Sequence, residues 1–399
     1  MRTQVLIHWG ISSYFGWGVY GLNLALHWAN DPNIQPVCSR PIQTSGITVD
    51  PLRYRLLQQF FEESAKFDQR LKDYVKTNPS AVVDVPLLMP LGDDFIGLPT
   101  AYNTRIEGRP TIGVTFFENA DLKPEAIKRA CEYNKIITGS SWNESVLRGY
   151  GLNNVETVLQ GVDPTLFHPA SRSGMFGQKF LVFSGGKLEF RKGQDLVIRA
   201  FAEFGKRHSD AVLVTAWHSP WPQTARTLDS VPNLPSVPTT NDGRIDVDGW
   251  VRENGIPADQ FLDLGSIPNS QLPQILREMD VGLFPNRCEG GTNLVAMECM
   301  ACGMPVILSA NTGHLDLIKT GNCFPLEQQT PVKRIQNQVE ITAGWGESSI
   351  AEIVEHLERV YHEREAAKEI GLRGANMLSH MTWQKTADLI KKLVLKHAQ

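Results

Sequence analysis

The apolar residues of the chain are concentrated in short runs, and stretches with the apolar spacing of amphipathic helices separate most of them. Runs of this length beside turn residues are typical of buried strands in a parallel sheet. They are VLIHW (5–9), TIGVTFF (111–117), KIITGS (135–140), VETVL (155–159), KFLVFSGG (179–186), AVLVTAW (211–217), QFLDLG (260–265), DVGLFP (280–285) and MPVIL (304–308). Because strands alternate with helices, the pattern predicts βαβ units and an α/β fold.

The alternation of strands and helices is interrupted near the middle of the chain. The segment GVDPTLFHPA (161–170) leads into the polar stretch SRSGMFGQ, and the pattern resumes at residue 179. Such a break is typical of a linker between two units. We therefore predict an N-terminal domain over residues 1–165 and a C-terminal domain over residues 166–379, each built on a parallel sheet. Residues 380–399 have the apolar spacing of an amphipathic helix.

The composition excludes several classes of protein. The 39 basic and 43 acidic side chains give a net charge of −4, and without a basic run this argues against nucleic-acid binding. Hydrophobic residues make up 42% of the chain and charged residues 21%, which is an ordinary globular balance. The six cysteines are dispersed, and neither a secretory signal nor a long apolar span is visible. We therefore expect a cytoplasmic protein with reduced thiols.

The first segment with candidate chemistry is SGGKLEFRKG (184–193), which follows a predicted strand and precedes a predicted helix. Lys187 and Lys192 flank the start of that helix, next to the glycine pair that ends at Gly186. A diphosphate bound there would meet backbone amides, the positive end of the helix dipole and two ammonium groups. The alternative is a pair of surface lysines at a turn.

A second Gly-rich loop begins at Glu289 in PNRCEGGTNLVAMECMACGMPVIL (285–308), and a helix follows it. Thr292 or Asn293 is a suitable cap for that helix. The loop amides would point at an anion placed against the start of the helix, and they belong to Gly290, Gly291 and Thr292. This segment therefore predicts a second anion-binding turn in the C-terminal domain.

The helix after this loop carries one acidic residue and two cysteines. Glu298 lies among apolar residues, so its carboxylate is expected to be partly buried and to need a partner. Two partners fit, namely the vicinal hydroxyls of a ribose or a salt bridge from a neighbouring helix. Cys299 and Cys302 form a CxxC pair, which we assign to the core because no second pair lies nearby to complete a zinc site.

Two further positions have both a structural and a functional interpretation. The loop SSYFGWGVYGLNLAL (12–26) contains Gly16 and Gly18, which allow a ligand to approach the backbone or simply form a packing turn. Their spacing differs from the GxGxxG dinucleotide fingerprint. His218 ends a predicted strand, where ligands of α/β proteins gather, although a structural histidine is the favoured interpretation.

The order of these motifs resembles family 4 of the retaining glycosyltransferases. The resemblance rests on GxDPxLFxP (161–169), the Gly-Lys-Leu to Lys-Gly run (186–193), and Glu289 to Glu298 followed by MACGMPVI. YNKIITGSSWNESVLRGYG (133–151) and HMTWQKTADLI (380–390) are similar to further family segments, so the resemblance covers essentially the whole chain. It implies a GT-B fold, in which two Rossmann-like domains face a cleft for a nucleotide sugar and the C-terminal helix returns to the first domain.

The resemblance also implies roles for individual residues. Lys187 and Lys192 would neutralise the leaving diphosphate. Glu298 would hold the ribose hydroxyls, and Glu289 would contact the transferred sugar. The predicted substrate-binding positions, including the backbone at the nucleobase, are Gly16, Gly18, Gly186, Ser266, Ile267, Gly290, Gly291, Thr292, Asn293, Leu294 and Glu298.

The chain departs from the family pattern at two places. Eight residues separate Glu289 from Glu298 where the family usually has seven, so Gly290, Thr292 or Asn293 is an alternative sugar contact. Where the family often has a histidine near the reacting carbon, this chain has a phenylalanine followed by Glu118. We interpret Glu118 either as a polar, catalytic residue of the cleft or as an acid at the N-terminus of the next helix.

The resemblance implies transfer of a hexose with retention at the anomeric carbon and without a metal ion or other cofactor. A donor phosphate oxygen would accept the proton of the incoming hydroxyl. Family frequency favours UDP-glucose over GDP-mannose as donor, and a glycan or glycolipid in polysaccharide synthesis as acceptor. The alternatives are a sugar-nucleotide epimerase, a nucleotide-sugar binding protein with a degenerate centre, and a nicotinamide-dependent oxidoreductase.

Contact with a membrane is a separate question. Residues 52–76 predict an amphipathic helix that could touch the inner membrane face peripherally. Its mixed charges fit an ordinary solvated helix better.

Overall fold

The computed structural model describes residues 2–240, 242–332 and 342–398. Its N-terminal half contains the strands β1 (Thr3–Ile7), β2 (Ile34–Cys38), β3 (Ser80–Val83), β4 (Leu87–Leu91), β5 (Arg105–Gly108), β6 (Thr111–Thr115), β7 (Lys135–Thr138) and β8 (Val155–Thr157). Six of them form one parallel sheet in the order β2-β1-β4-β6-β7-β8, and β3 pairs with β5 beside it.

The C-terminal half repeats this design. Its strands are β9 (Phe180–Gly185), β10 (Ala211–Ala216), β11 (Phe261–Asp263), β12 (Val281–Phe284), β13 (Val306–Ser309), β14 (Phe324–Leu326), β15 (Gln329–Pro331) and β16 (Gly346–Ser348). Six are parallel in the order β11-β10-β9-β12-β13-β14, which is that of a dinucleotide-binding sheet, and β15 pairs antiparallel with β16. The predicted pair of Rossmann-like parallel-sheet domains is confirmed.

Helices connect the parallel strands and cover both sheets. They are α1 (Gly16–Trp28), α2 (Pro51–Leu56), α3 (Gln58–Tyr74), α4 (Pro124–Glu132), α5 (Ser141–Gly149), α6 (Gln194–Gly205), α7 (Val247–Glu253), α8 (Leu272–Leu276), α9 (Leu294–Ala301), α10 (Ile350–His362), α11 (Arg364–Leu378) and α12 (Trp383–His397). Because helices cover the faces, the central strands are buried along their whole length, as in β9 and β12. The nine apolar runs of the sequence each overlap one of these strands.

The apolar runs of the sequence did not predict two strands of the first sheet, β2 and β4. β2 contains Pro36 and β4 contains Pro90, and a proline normally argues against a strand because it removes a ladder hydrogen bond. In the structure β4 nevertheless lies between β1 and β6, with Leu88 and Leu91 buried. Burial of the apolar side chains therefore outweighs the missing donor.

The chain returns to the first domain at its C-terminal end, as predicted. Thr382 caps α12, and Val162 exchanges backbone hydrogen bonds with the residues on either side of it. The Trp28 indole of α1 donates to the Ala387 carbonyl at 3.2 Å. Helix α12 thus packs on α1, while the boundary at residue 165 stays a prediction.

The predicted helix over residues 52–76 is divided into α2 and α3 at Leu57. In the ranges that the structure describes, no helix combines the length and the apolar character needed to cross a membrane.

Candidate active site

The candidate site lies where the strand order of the second sheet reverses. The loop after β9 and the loop after β12 meet there, at the carboxyl ends of the strands, where ligands of doubly wound sheets bind. A cavity of about 350 Å³ opens in front of them. Residues of the first domain, among them Phe116 and Glu118, line its opposite wall.

Six charged side chains form a network on the floor of this cavity. Arg191 lies at the centre, with its guanidinium 2.5 Å from Glu189, 3.1 Å from Glu289 and 3.0 Å from Glu118. The two lysines complete the network, because Lys187 pairs with Glu189 and Lys192 pairs with Glu289, both at 2.6 Å. Three basic side chains therefore face three acidic side chains.

Glu289 is held in its ionised form by these partners. Its side chain is only 6% exposed, and burial alone would raise the pKa of the carboxyl group. Lys192 and Arg191 outweigh burial and lower the pKa to about 2. The Asn286 amide donates a further hydrogen bond to the same carboxylate. Glu289 is thus a charged acceptor at neutral pH.

Glu118 connects the network to the first domain. It lies in the loop after β6 and lines the cavity, as expected of a polar residue of the cleft. It does not lie at the N-terminus of α4, which begins only at Pro124. Burial raises the pKa of Glu118 to about 7, against the opposing effect of the Arg191 guanidinium. The Trp345 indole fixes the Glu118 backbone by donating to its carbonyl at 2.5 Å. Glu118 thus brings an acidic side chain of the first domain into the network.

A buried ion pair supports the two loops from behind. Arg287 follows β12, and its guanidinium contacts both carboxylate oxygens of Asp195 in the first turn of α6 at 2.7 Å. The same guanidinium stacks on the Phe190 ring at 3.9 Å. Both charged side chains are almost completely buried, so the pair holds the start of α6 against the loop.

The Gly-rich loop packs directly on the first domain. A Cβ atom at Gly290 would lie 2.1 Å from the Phe116 carbonyl oxygen, which only glycine avoids. The Gly290 carbonyl in turn accepts a hydrogen bond from Ser140, the cap of α5, at 2.7 Å. The loop therefore faces the other domain with its backbone.

Asn293 is the N-terminal cap of α9. Its backbone adopts a φ of 63°, and its side chain accepts a hydrogen bond from the Ala296 amide. The other cap candidate, Thr292, turns its hydroxyl to the Met297 sulfur inside the domain. Thr292 is completely buried, so its side chain lies outside the cavity lining.

Glu298 lies on α9 behind the cavity wall formed by Leu294 and Val295. The Asn269 side-chain amide donates to its carboxylate at 2.5 Å, so its partner is neither of the two expected from the sequence. Burial raises the pKa of Glu298 to about 8, although the Asn269 hydrogen bond opposes this. Its predicted contact with a ribose stays a prediction.

The remaining predicted residues divide into two groups. Those that line the cavity together with Glu118 and Glu289 are Gly16, Gly186, Lys187, Lys192, Ser266, Ile267, Gly291, Asn293 and Leu294. Gly18 and Gly290 lie outside the lining because each is pressed against a neighbouring segment. At Gly18 a Cβ atom would lie 2.6 Å from that of Ser12, so the packing-turn interpretation describes this glycine.

Sequence reasoning missed Arg191, Glu189 and the aromatic wall of the cavity. The FRKG motif places Arg191 directly before Lys192, and this adjacency was the signal available. The aromatic residues on the lining are Tyr14, Phe15, Trp17, Phe116, Phe183 and Trp221. His218 also lines the cavity and pairs with Asp263 at 2.6 Å, and this hydrogen bond raises the pKa of the imidazole.

Comparison with known proteins identifies the second domain. Residues 178–340 match the family model described as glycosyl transferases group 1. The match covers most of the C-terminal domain, which is therefore similar to this family. The matched range carries both loops of the charged network, since it includes the loops after β9 and β12.

Sequence relatives of the chain are described as GDP-mannose-dependent enzymes. One is a GDP-mannose-dependent alpha-(1-6)-phosphatidylinositol monomannoside mannosyltransferase of Mycolicibacterium smegmatis, 26% identical over 198 residues, or 46% of each chain. A phosphatidylinositol dimannoside mannosyltransferase of Mycobacterium tuberculosis is 26% identical over 197 residues, 48% of this chain and 45% of the relative. The chain thus spans about half the length of these curated relatives.

Solved structures share the architecture of the whole chain. Sucrose-phosphate synthase from Thermosynechococcus elongatus superposes with a TM-score of 0.64 at 17% identity and covers 99% of both chains. Anabaena Alr3699/HepE in complex with UDP-glucose gives 0.61 at 14% identity, over 99% of this chain and 100% of its own. These similarities confirm the predicted GT-B fold.

Proposed function

We propose that this protein is a retaining hexosyltransferase that moves a hexose from a nucleoside diphosphate sugar to a glycan or glycolipid acceptor. The observation that carries the proposal is the group of Lys187, Arg191 and Lys192 beside the cavity between the domains. A diphosphate requires such a concentration of positive charge. Similarity of the second domain to the group 1 glycosyl transferases supports the same reaction class.

The donor diphosphate would replace Glu189 and Glu289 as the ionic partner of the two lysines. Lys187 and Lys192 each hold one carboxylate oxygen at 2.6 Å, and a diphosphate offers more negative charge and more acceptor atoms. The start of α6 lies directly after Lys192 and adds its amides and dipole. These groups act where charge develops on the leaving diphosphate, so they would supply the largest catalytic contribution in place of a metal ion.

The carboxylates that lose their lysines are then available to the sugar and the acceptor. Glu289, with its low pKa, is an ionised acceptor for sugar hydroxyls. The incoming hydroxyl would pass its proton to a donor phosphate oxygen on the same face of the sugar, which accounts for retention. Glu118 has a pKa of about 7 and lies next to Arg191, so it serves as a second group that exchanges protons near neutral pH.

The acceptor would bind against the aromatic wall contributed mainly by the first domain. Phe15 and Trp221 contact each other across the mouth of the cavity, with ring centroids 5.2 Å apart. Aromatic faces suit the apolar faces of sugar rings, and a few polar groups then fix orientation. This wall supports a glycan acceptor, or the sugar part of a glycolipid.

Two bases are candidates for the donor. Family frequency favours UDP-glucose, whereas the sequence relatives are described as GDP-mannose-dependent. Thermal unfolding with saturating UDP, GDP, ADP, dTDP or NAD separates them, because a ligand at about 100 times its dissociation constant stabilises the native state by roughly 2.7 kcal/mol. A shift with UDP or GDP supports the proposal and identifies the base. A shift with NAD alone contradicts the proposal, and so does the absence of a shift with every nucleoside diphosphate.

Product analysis then tests the reaction itself. With the stabilising donor, a retaining transferase forms a glycoside with the anomeric configuration of the donor, and activity persists in a chelator. Interconversion of the donor sugar without an acceptor would instead identify an epimerase. Binding of the nucleotide without turnover of any donor would identify a binding protein.

Lys192→Ala tests the role of the charged network. We expect turnover to fall by two or more orders of magnitude, because removing one preorganised donor from a transition state typically costs about 10²–10³-fold. The measurement is the initial rate with the donor found above. Lys206→Ala, an exposed lysine after α6, is the matched control and should retain full activity. Near-normal turnover of Lys192→Ala would remove the role assigned to this lysine.

A further inference from the structure

A cluster of metal-ligating side chains lies far from the cavity, at the other end of α6. His208 follows the C-terminal end of α6, whereas the charged network precedes its N-terminus. Twelve residues of helix separate the two places, about 18 Å of helix axis. Glu358 and His362 lie one turn apart on α10, which packs against α6. These three residues have no part in the reaction proposed above.

The three side chains converge on one point. The Oε2 atom of Glu358 lies 2.9 Å from Nε2 of His208 and 3.4 Å from Nε2 of His362. All three ligand atoms lie within 4.8 Å of one another. Two ligand atoms bound tetrahedrally to one zinc ion at its usual bond lengths are about 3.3 Å apart. The cluster therefore has nearly the spacing of an ion-binding site without backbone movement.

Neighbouring residues hold the ligands in this orientation. The His208 ring packs between the rings of Phe204 and Tyr361, with centroid distances of 4.5 Å and 4.0 Å. The Tyr361 hydroxyl is in turn fixed by Asp210 at 3.0 Å. These ring contacts restrict the orientation of the His208 imidazole.

The carboxylate of Glu358 is divided between two partners. Its Oε1 atom lies 3.1 Å from the Arg207 guanidinium, which leaves Oε2 for the two imidazoles. Arg207 also places a positive charge near the cluster, which repels a cation. The binding free energy from two imidazole nitrogens and one carboxylate oxygen must therefore exceed this repulsion. Imidazole and carboxylate ligands favour zinc and its neighbours in the transition series over magnesium or calcium.

We infer that His208, Glu358 and His362 bind one divalent transition-metal ion of the zinc class, with solvent in the fourth position. The ion would join the end of α6 to α10. Each imidazole then carries its proton on Nδ1 and presents the Nε2 lone pair to the metal. Because the ion binds a site formed by two separate helices, it would stabilise the folded domain.

Titration calorimetry of the untagged, chelator-treated protein with Zn²⁺ tests the inference. We expect one ion per chain, and His362→Ala to weaken binding at least about ten-fold. His362 is largely exposed, so the variant is expected to fold, and circular dichroism checks this. His380→Ala, an exposed histidine after α11, is the matched control and should bind as the unchanged protein does.

A second readout uses Co²⁺ in place of zinc. Visible absorption typical of four-coordinate cobalt should appear with the unchanged protein and with His380→Ala, and disappear with His362→Ala. The zinc-dependent rise in unfolding temperature should follow the same pattern. Failure of the unchanged protein to bind one ion, or equal affinity of His362→Ala, would overturn the inference. Neither result bears on the transferase proposal, whose residues lie at the other end of α6.

Discussion

Glu298 places a carboxyl group inside α9, with the Asn269 amide as its hydrogen-bond partner. Burial raises its pKa from the ordinary value near 4.5 to about 8, so the folded protein binds a proton there that the unfolded chain releases. Stability from this group is fully present below the unfolded pKa and is lost as the pH rises through about 8. The contribution of Glu289 to stability depends on pH in the opposite direction: its pKa is lowered, so the stabilisation by its charge is lost as the pH falls.

Glu298→Gln should therefore stabilise the protein at pH 9 and have little effect at pH 5. The amide keeps an acceptor for Asn269 and cannot ionise, so the gain at high pH is on the order of several kcal/mol at most. Urea unfolding at pH 5, 7 and 9 measures it. Glu203→Gln, an exposed change on α6, is the control without a pH-dependent gain. A variant no more stable at pH 9 than the unchanged protein would contradict the buried, protonated state.

The same variant separates structure from binding. If Glu298 holds the ribose after donor entry, Glu298→Gln loses nucleotide affinity even while it gains stability at pH 9. If affinity is unchanged, the residue belongs to the core of α9 alone.

At the scale of elements, the start of α1 shows how two neighbouring glycines differ. A Cβ atom at Gly18 would lie 2.6 Å from the Ser12 Cβ and 2.7 Å from its amide nitrogen. At Gly16 the same atom would have no neighbour within 4 Å, and this glycine lines the cavity. Gly18 is thus needed for packing, and Gly16 borders space that a ligand can use.

Gly18→Ala should destabilise the protein by about 1–3 kcal/mol, because backbone atoms of the Ser12 loop must move. Gly16→Ala should leave stability unchanged or raise it by less than about 1 kcal/mol, since alanine is the better helix residue. Chemical denaturation of both variants tests this difference. Equal stabilities would show that the Ser12 loop moves at no cost.

Elements with simple periodicity are the part of the fold that the sequence predicts well. Strands such as β9 and β12 are continuous apolar runs because helices cover both faces, so their pattern survives in the sequence. β4 is hidden by Pro90, whose position in the sheet depends on tertiary burial. The pairing of α12 with α1 joins residues over 350 positions apart, and only the family resemblance indicated it.

The sequence predicted those residues of the candidate site that lie in a recognisable local motif. Lys192 and Glu289 each lie in a Gly-rich turn beside a helix start, which the sequence displays. The role of Arg191 depends on three carboxylates from separate segments, and Glu118 comes from the other domain. Such a network exists only after folding, so no local pattern specifies it.

At the scale of the whole molecule, the cavity depends on direct contact between the two domains. Ser140 and Ser141 at the start of α5 bond to Gly290 and Asp316 of the second domain. The backbone N–H of Asn269, in the second domain, donates a hydrogen bond to the Ser13 carbonyl of the first domain at 2.7 Å. The Glu118–Arg191 pair crosses the same interface, so the charged network depends on how the two domains are placed against each other.

Gly290→Ala should open this closed arrangement. The new Cβ would lie 2.1 Å from the Phe116 carbonyl oxygen, and real Cβ atoms keep at least 3.0 Å, so the domains must separate by about 1 Å or the loop must shift. A displacement of that size at a catalytic centre typically costs about 100-fold in rate. We therefore expect a larger radius of gyration by X-ray scattering, weaker nucleotide binding and a strongly reduced turnover. Gly149→Ala, where a Cβ meets nothing within 4 Å, should change none of these. An unchanged radius of gyration together with unchanged turnover would show that the loop accommodates the methyl group, and that closure does not depend on the close approach at Gly290.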